Sequence, residues 1–466
     1  MRHHGLRSYA VILGLLACSA DLAFATATAE EAARLGQDLT PIGAEKAASK
    51  DGSIPAWSGQ ADTPMAGWAW GKQRSEFTKL KDEKPVVSID AGNMDKYAEH
   101  LTPGLQALLK QRKAFHMDVY PAHRDCVVPK SVEERTKANA TEAKLAANGW
   151  GIAHAKSGGV PFPIPKNGVE AMWNMKLRPS GVGFIYKKGG SAVAPRPGSK
   201  DFVFYDWILT QFWPMGQKDS KNIEDTSGVE FYTYYKYFSP AALAGQALVS
   251  ISYLDNKYPD NYYYFPGQRR VRRLPTYVFD APLIGFENEY PVEMQNMLWT
   301  TLDQFDYKIV GKKEIYVSHD SFKSYNFNAK KDDYYKDTTI NPDYVRWELH
   351  RTWVIDAVIK PGNRHSLPHQ TFYIDEDSWN VLLVDAYDSK GGIWQTRMAN
   401  QIPVWELGGT CTIGPFVMYD LATGRYTADY QVATQGVDMQ FFTEPSDPTF
   451  KGGFYTPDNL REISER

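Results

Sequence analysis

Eight of the ten histidines lie beyond the first few residues, at His100, His116, His123, His154, His319, His350, His365 and His369. Imidazoles paired on one helix face would bind a transition metal or move protons. None stands in such a pair, because Pro368 interrupts the helix that His365 and His369 would need. Gly-x-Ser-x-Gly, His-Glu-x-x-His, phosphate-binding Gly-rich and Gly-x-Gly-x-x-Gly patterns are all missing from the sequence. The reading is therefore no catalytic residue, no metal and no cofactor. Cys126 and Cys411 carry no Cys-x-x-Cys partner, which leaves two states open: a disulfide between them, or two buried thiols.

Three further groups could do chemistry. Asp375-Glu376-Asp377 has the look of a cation loop, but Trp379 stands where an oxygen ligand is needed, so an acidic hairpin turn is expected. Paired carboxylates for glycan hydrolysis stay open, since their separation is set in three dimensions. Arg269, Arg270, Arg272 and Arg273 flank Val271. A strand would send Arg269 and Arg273 to one side and Arg270 and Arg272 to the other, to dock an anionic head group or acidic partner. The competing reading pairs them with Glu348 and Asp356 or leaves them in water. The third group is aromatic. Trp207, Trp213, Phe231, Tyr253, Trp347, Trp353 and Trp394 are the candidates to line an apolar cavity, against ordinary core packing.

These residues must be placed by two kinds of element. Residues 30–180 read as helical and loop-rich. Glu31 to Lys50 is Ala-rich, Pro103 opens a helix presenting Leu105, Leu108 and Leu109, and Ser131 to Glu134 reads as a capping box for a helix running to Gly149. Gly168 to Leu177 is a further short helix. Residues 181–466 change to period 2, with strands at Phe202–Leu209, Phe231–Phe238 and Val345–Ile359, and a hairpin around residues 375–380. Connections are too short for parallel crossovers, so a curved antiparallel sheet is expected. Many strands are apolar on both faces, which calls for helices or loops packed in a concavity.

Composition sets the outer bounds. The chain has 466 residues, 52 Lys plus Arg against 55 Asp plus Glu, and a net charge of −3, which argues against a nucleic-acid partner. Its 13 Trp, 28 Tyr and 22 Phe raise the aromatic share to 14%, matching a β-rich protein. Arg2 and Arg7, the apolar run Tyr9 to Ala17 and Ala-x-Ala sites ending at Ala25, Ala27 or Ala29 read as a secretory leader over residues 1–29. Leu15-Leu-Ala-Cys18 offers a lipoprotein alternative, anchored at Cys18. A periplasmic location follows in either case.

Six blocks then stand out in order: Pro41–Lys46 with Gly52–Trp57, Phe162–Asn174, Pro266–Pro275, Gly311–Tyr316, Trp347–Arg351 and Tyr373–Trp379. Together they resemble the exported proteobacterial family called domain of unknown function 1329, often labelled outer-membrane lipoprotein-sorting protein. The resemblance implies a mainly β fold with helices: an incomplete antiparallel barrel of the LolA/LolB-like kind, closed by a helical lid around an apolar cavity. It also implies partners: an inner-membrane transporter of the resistance-nodulation-division type and an outer-membrane protein. The expected function is a carrier or chaperone for a lipid-like molecule, and not an enzyme. The alternatives are a cell-envelope hydrolase of glycan or ester bonds, or a structural adaptor of a transport complex.

Overall fold

The computed structural model describes residues 27–255 and 257–465. The leader segment to residue 26, including Cys18, lies outside the described residues. Thirteen strands carry the architecture: β1 (Gly183–Val193), β2 (Val203–Phe212), β3 (Val229–Ser239), β4 (Ala247–Tyr253), β5 (Asp260–Phe265), β6 (Arg270–Arg273), β7 (Phe305–Ser318), β8 (Trp347–Ile359), β9 (His369–Asp375), β10 (Val381–Tyr387), β11 (Ile393–Val404), β12 (Thr410–Asp420) and β13 (Tyr426–Gln431). They form two antiparallel meanders, β1 to β6 and β7 to β13, joined where β13 pairs with β1. The remaining members of the same sheet are short. Met117–Val119 meets β8 in parallel at Val119 and Trp347, and Gln440–Phe442 pairs with β1. β6 and β7 end the series without meeting, so the sheet is an open, incomplete barrel.

Alternation explains why both faces of the first meander are apolar. Tyr186, Trp207, Leu209, Phe231, Tyr235 and Tyr263 point into the large core, which also gathers residues from β7 to β13. Their neighbours Ile185, Ile208, Phe212, Tyr234, Val249 and Tyr264 enter a second core on the opposite face. That second face is covered by Phe450, Tyr455 and Leu460, the last carried by a helix at Pro457–Glu465. Two buried faces are thus accounted for by two cores, where the sequence pattern called for a filled concavity alone. Each buried aromatic adds roughly 1.5–3 kcal/mol of transfer free energy.

The helices before β1 are α1 (Pro103–Gln111), α2 (Lys130–Glu142) and α3 (Gly168–Lys176). Thr102 caps α1, and Leu105, Leu108 and Leu109 are buried as their spacing predicts. α3 lies on β7 so closely that a Cβ at Gly168 would fall 2.3 Å from the Tyr307 backbone. Two expectations fail. α2 begins at Lys130, so Ser131 sits inside the first turn instead of at the cap, and no side chain caps the helix. It stops at Glu142 because buried Ala143 turns extended into the short strand Lys144–Leu145. The Ala-rich stretch after Glu31 is helical only at Ala29–Ala32, after which Gly36 and Gly43 turn the chain at φ of 83° and 100°.

A disulfide joins Cys126, ahead of α2, to Cys411 on β12, 285 residues away. Cross-linking so large a loop restricts the unfolded chain. Replacing both cysteines by serine is expected to lower the unfolding free energy by about 2–5 kcal/mol. Guanidinium titration reads this as an earlier midpoint with the far-ultraviolet spectrum preserved, and reductant should bring the wild type to the same midpoint. An unchanged midpoint would contradict a structural role for the bridge.

Candidate functional site

A pocket of about 320 Å³ opens where the N-terminal segment meets the sheet. Its walls come from the first turn of α2, the chain leaving α3, the turn Pro214–Gly216 and the start of β12. Val132, Leu177, Pro179, Trp213, Met215 and Leu407 make it apolar. The disulfide holds two of these walls together, since Cys411 follows Thr410 and Cys126 precedes Pro129, both lining residues. Polar groups reach the pocket as well. Lys176 is committed to Glu230 at 3.1 Å, and Lys218 pairs with Glu444. Arg135 donates to the Ser157 carbonyl at 2.9 Å, and Arg178 Nη1 donates to the Met175 carbonyl at 2.7 Å; neither makes an ion pair among the described residues, and Arg178 is the one whose buried Nε has no partner among them. Burial pushes its pKa down to about 10. It remains a cation facing an apolar chamber.

Of the seven aromatics expected at a cavity, Trp213 lines this pocket and Phe231 lies behind it, in a smaller recess that also includes Trp213 and Arg178. Trp353 borders a separate, shallower groove with Lys312 and Pro163. The other four line none of these pockets. Trp207 is fully buried, donating to Ser191 Oγ at 2.7 Å, and Trp347 is fully buried against Phe115. Trp394 donates to Asp420, and Tyr253 donates to Asp260. A period-2 pattern assigns faces but not what a face meets: Trp207 and Trp347 are core residues, Trp394 packs partly buried against the same core, and Tyr253 is half-buried outside it.

The arginine cluster stands apart from the pocket, at the exposed edge strand β6. Arg269 precedes the strand in a left-handed turn (φ 49°), which removes it from the expected alternation. Arg273 pairs with Asp260, Arg272 with Gln268 and Arg269 with Glu465, instead of Glu348 and Asp356. Charge on an edge strand also blocks pairing with another sheet.

The acidic turn is not solvated. Asp375, Glu376 and Asp377 are all buried, each tied to a cation or its network. Arg124 binds Asp377 through two bonds of 2.7 Å, and Arg351 and Lys312 bind Glu376 at 2.9 and 2.8 Å. Asp375 lies 3.5 Å from His350, whose other nitrogen is 3.3 Å from Glu348. Burial disfavours a charge on His350, but Asp375 and Glu348 overcome it and raise its pKa to about 10. Burial likewise opposes charge on Asp375, and His350 with Ser378 holds it down to about 2.

The comparisons with known proteins decide the family. Residues 88–461 match the family described as protein of unknown function (DUF1329). The chain is 36% identical to the uncharacterized protein PA3922 of Pseudomonas aeruginosa, covering 97% of this chain and 98% of that one. It belongs to the DUF1329 family. Among solved structures, a putative outer membrane lipoprotein-sorting protein domain from Vibrio parahaemolyticus is 14% identical, at a TM-score of 0.41 over 63% of this chain and 98% of that one. A DUF1329 family protein from Desulfovibrio piger is 14% identical, at 0.40 over 62% and 97%.

In this DUF1329 protein, four of the six blocks that carried the resemblance meet at the buried acidic turn, and a fifth, Phe162–Asn174, packs on the first of them. Ile42 accepts from the Trp379 indole, and the Glu45 carboxylate meets Lys312. Gly43 packs on the Pro163 carbonyl, where a Cβ would come within 1.9 Å. Block Pro266–Pro275 stays at the far edge. Sequence reasoning missed Arg178, Arg124 and the His350 network, because single residues after a helix or on a strand carry no local signal.

His350 supplies a pH test. The folded state holds its proton up to about pH 10, against 6.5 for an unshifted imidazole. Its contribution is therefore complete below pH 6.5 and lost as pH rises toward 10. His350→Leu is expected to cost about 3–5 kcal/mol at pH 6, by stranding buried carboxylates. The gap between wild type and variant in chemical denaturation should narrow steadily by pH 9.5. A gap independent of pH would contradict a protonated His350.

Proposed function

We propose that this protein is an exported carrier that shelters an amphipathic small molecule with an apolar body and an acidic end. The observation that carries the reading is the buried Arg178 guanidinium, without an ion pair among the described residues, beside the apolar walls of the pocket. Apolar surface leaving water for Trp213, Leu177 and Met215 supplies the attraction, and a carboxylate or phosphate on Arg178 supplies orientation. A volume of about 320 Å³ is at the small end of the usual ~300–1,000 Å³ for ligand sites. It suits one chain or a compact ring system better than a large lipid.

Export rests on the leader pattern over residues 1–29. Thr28 and Glu31 form a reciprocal cap on the first helical turn, and Ala27 is buried. Of the three Ala-x-Ala sites, the cut after Ala25 keeps that cap and the cut after Ala29 removes it. In this reading the exchange partners are an inner-membrane transporter of the resistance-nodulation-division type and an outer-membrane protein. The carrier is favoured over a hydrolase because the buried carboxylates of the acidic turn are held by Arg124, Arg351 and Lys312.

Competition against a fluorescent fatty-acid probe tests the pocket. Palmitate is expected to displace the probe at one site, about tenfold more tightly than hexadecanol, the ~1.4 kcal/mol of one charge-assisted contact. Arg178→Met should abolish that difference while leaving alcohol binding, and Trp213→Ala should weaken both ligands. Equal affinity of acid and alcohol for the wild type, or no saturable displacement, would overturn the reading.

A further inference from the structure

Asp320, two residues beyond β7, is 3% exposed, yet neither of its carboxylate oxygens accepts a hydrogen bond from the described residues. It lines a cleft of about 70 Å³ shared with Glu83, Tyr120 and Arg346, so this unsatisfied carboxyl faces a space able to admit water or an ion. On its other side stand His123 and Glu348. His123 Nδ1 is 3.9 Å from Asp320 Oδ2 and 3.2 Å from Glu348 Oε1, and the donor atoms of the three residues lie within 4.8 Å of one another. Ligands bound at about 2.0–2.2 Å in tetrahedral array are roughly 3.3–3.5 Å apart. Small side-chain movements complete the set.

The geometry points to a binding site for one divalent transition-metal ion, held by His123 Nδ1, Asp320 and Glu348, with its remaining positions filled by water from the cleft. The surroundings are built for those ligands. His123 Nε2 is 3.5 Å from Glu83, which orients the ring as a carboxylate behind a ligating imidazole does. His350 supports the other oxygen of Glu348 at 3.3 Å, and His319 Nε2 lies between Asp125 at 3.1 Å and Asp320 at 3.8 Å. Glu83, Asp125, Asp320, Glu348 and Asp375 stand among Arg346, His123, His319 and His350. Arg346 serves Glu348 at 2.6 Å and also Glu83, and its Nη2 donates to His123 Nδ1 at 3.3 Å, a contact the metal would replace, while it makes no hydrogen bond to Asp320. One imidazole with two carboxylates suits zinc, and manganese more weakly by the usual order of affinities.

This proposal does not depend on the apolar pocket. The sequence expectation was no metal, because His123, Asp320 and Glu348 come from three distant segments and share no spacing pattern.

Zinc titration of the full mature protein, stripped with chelator and with its disulfide intact, tests the site by calorimetry and thermal shift. One zinc per chain is expected, with a rise in Tm. Asp320→Asn keeps shape and removes the carboxylate; His123→Gln alters a half-buried residue and keeps an amide at its place. Each should weaken zinc at least tenfold. Calcium should produce no shift. If Asp320→Asn does not fold, His123→Gln alone decides. Overturning results are no saturable zinc binding by the folded wild type, zinc affinity unchanged by His123→Gln, or calcium binding as tightly as zinc.

Discussion

Two buried guanidinium groups hold the N-terminal third of the chain to the sheet. Arg74 is fully enclosed, clamped by Glu406 at 2.7 and 2.9 Å and by Asp438 at 2.8 Å, with Trp68 and Trp405 flanking its plane. Arg124 grips Asp377 and donates to the Glu45 carbonyl at 2.7 Å. Removing charges from water is costly, so such pairs add little net stability, but breaking one leaves an uncompensated charge worth about 3–5 kcal/mol. Their effect is therefore on geometry: the segment docks in one register. Two residues beyond Arg124 the disulfide repeats the constraint covalently.

The apolar pocket is a product of that seam. An open sheet with an exposed concave face would collapse or aggregate, and here its own aromatics, α1 and α3 fill most of the concavity. One chamber stays open at the junction, walled on one side by α2 and on the other by the start of β12. Arg178, without an ion pair among the described residues, keeps a cation at its edge. Carrier function in this account depends on how the halves meet, more than on the depth of the half-barrel.

The sequence made the architecture legible where periodicity is strong. The run from Val345 to Ile359, the hairpin at residues 375–380 and the Pro103 helix all follow from alternation or spacing. It did not show what each face touches. Trp207 and Ile208 alternate correctly, yet nothing local announces that Ile208 meets the C-terminal segment. Asp375-Glu376-Asp377 read as an acidic hairpin turn, and its burial was not legible because the cations that bury it, Arg124, Arg351 and Lys312, are remote in the chain. His123, Asp320 and Glu348 illustrate the same limit: a constellation assembled by sheet topology has no one-dimensional pattern. Charge on the edge strand β6 was readable as charge, and its left-handed start at Arg269 was not.

The most direct measurement of the central claim is native mass spectrometry of the protein released gently from the cell envelope, followed by organic extraction and identification of what it carries. The account predicts a single small amphiphile with an acidic group, bound one per chain and lost on unfolding. A protein that emerges at its bare polypeptide mass, or one carrying only neutral or heterogeneous lipids in variable number, would contradict it.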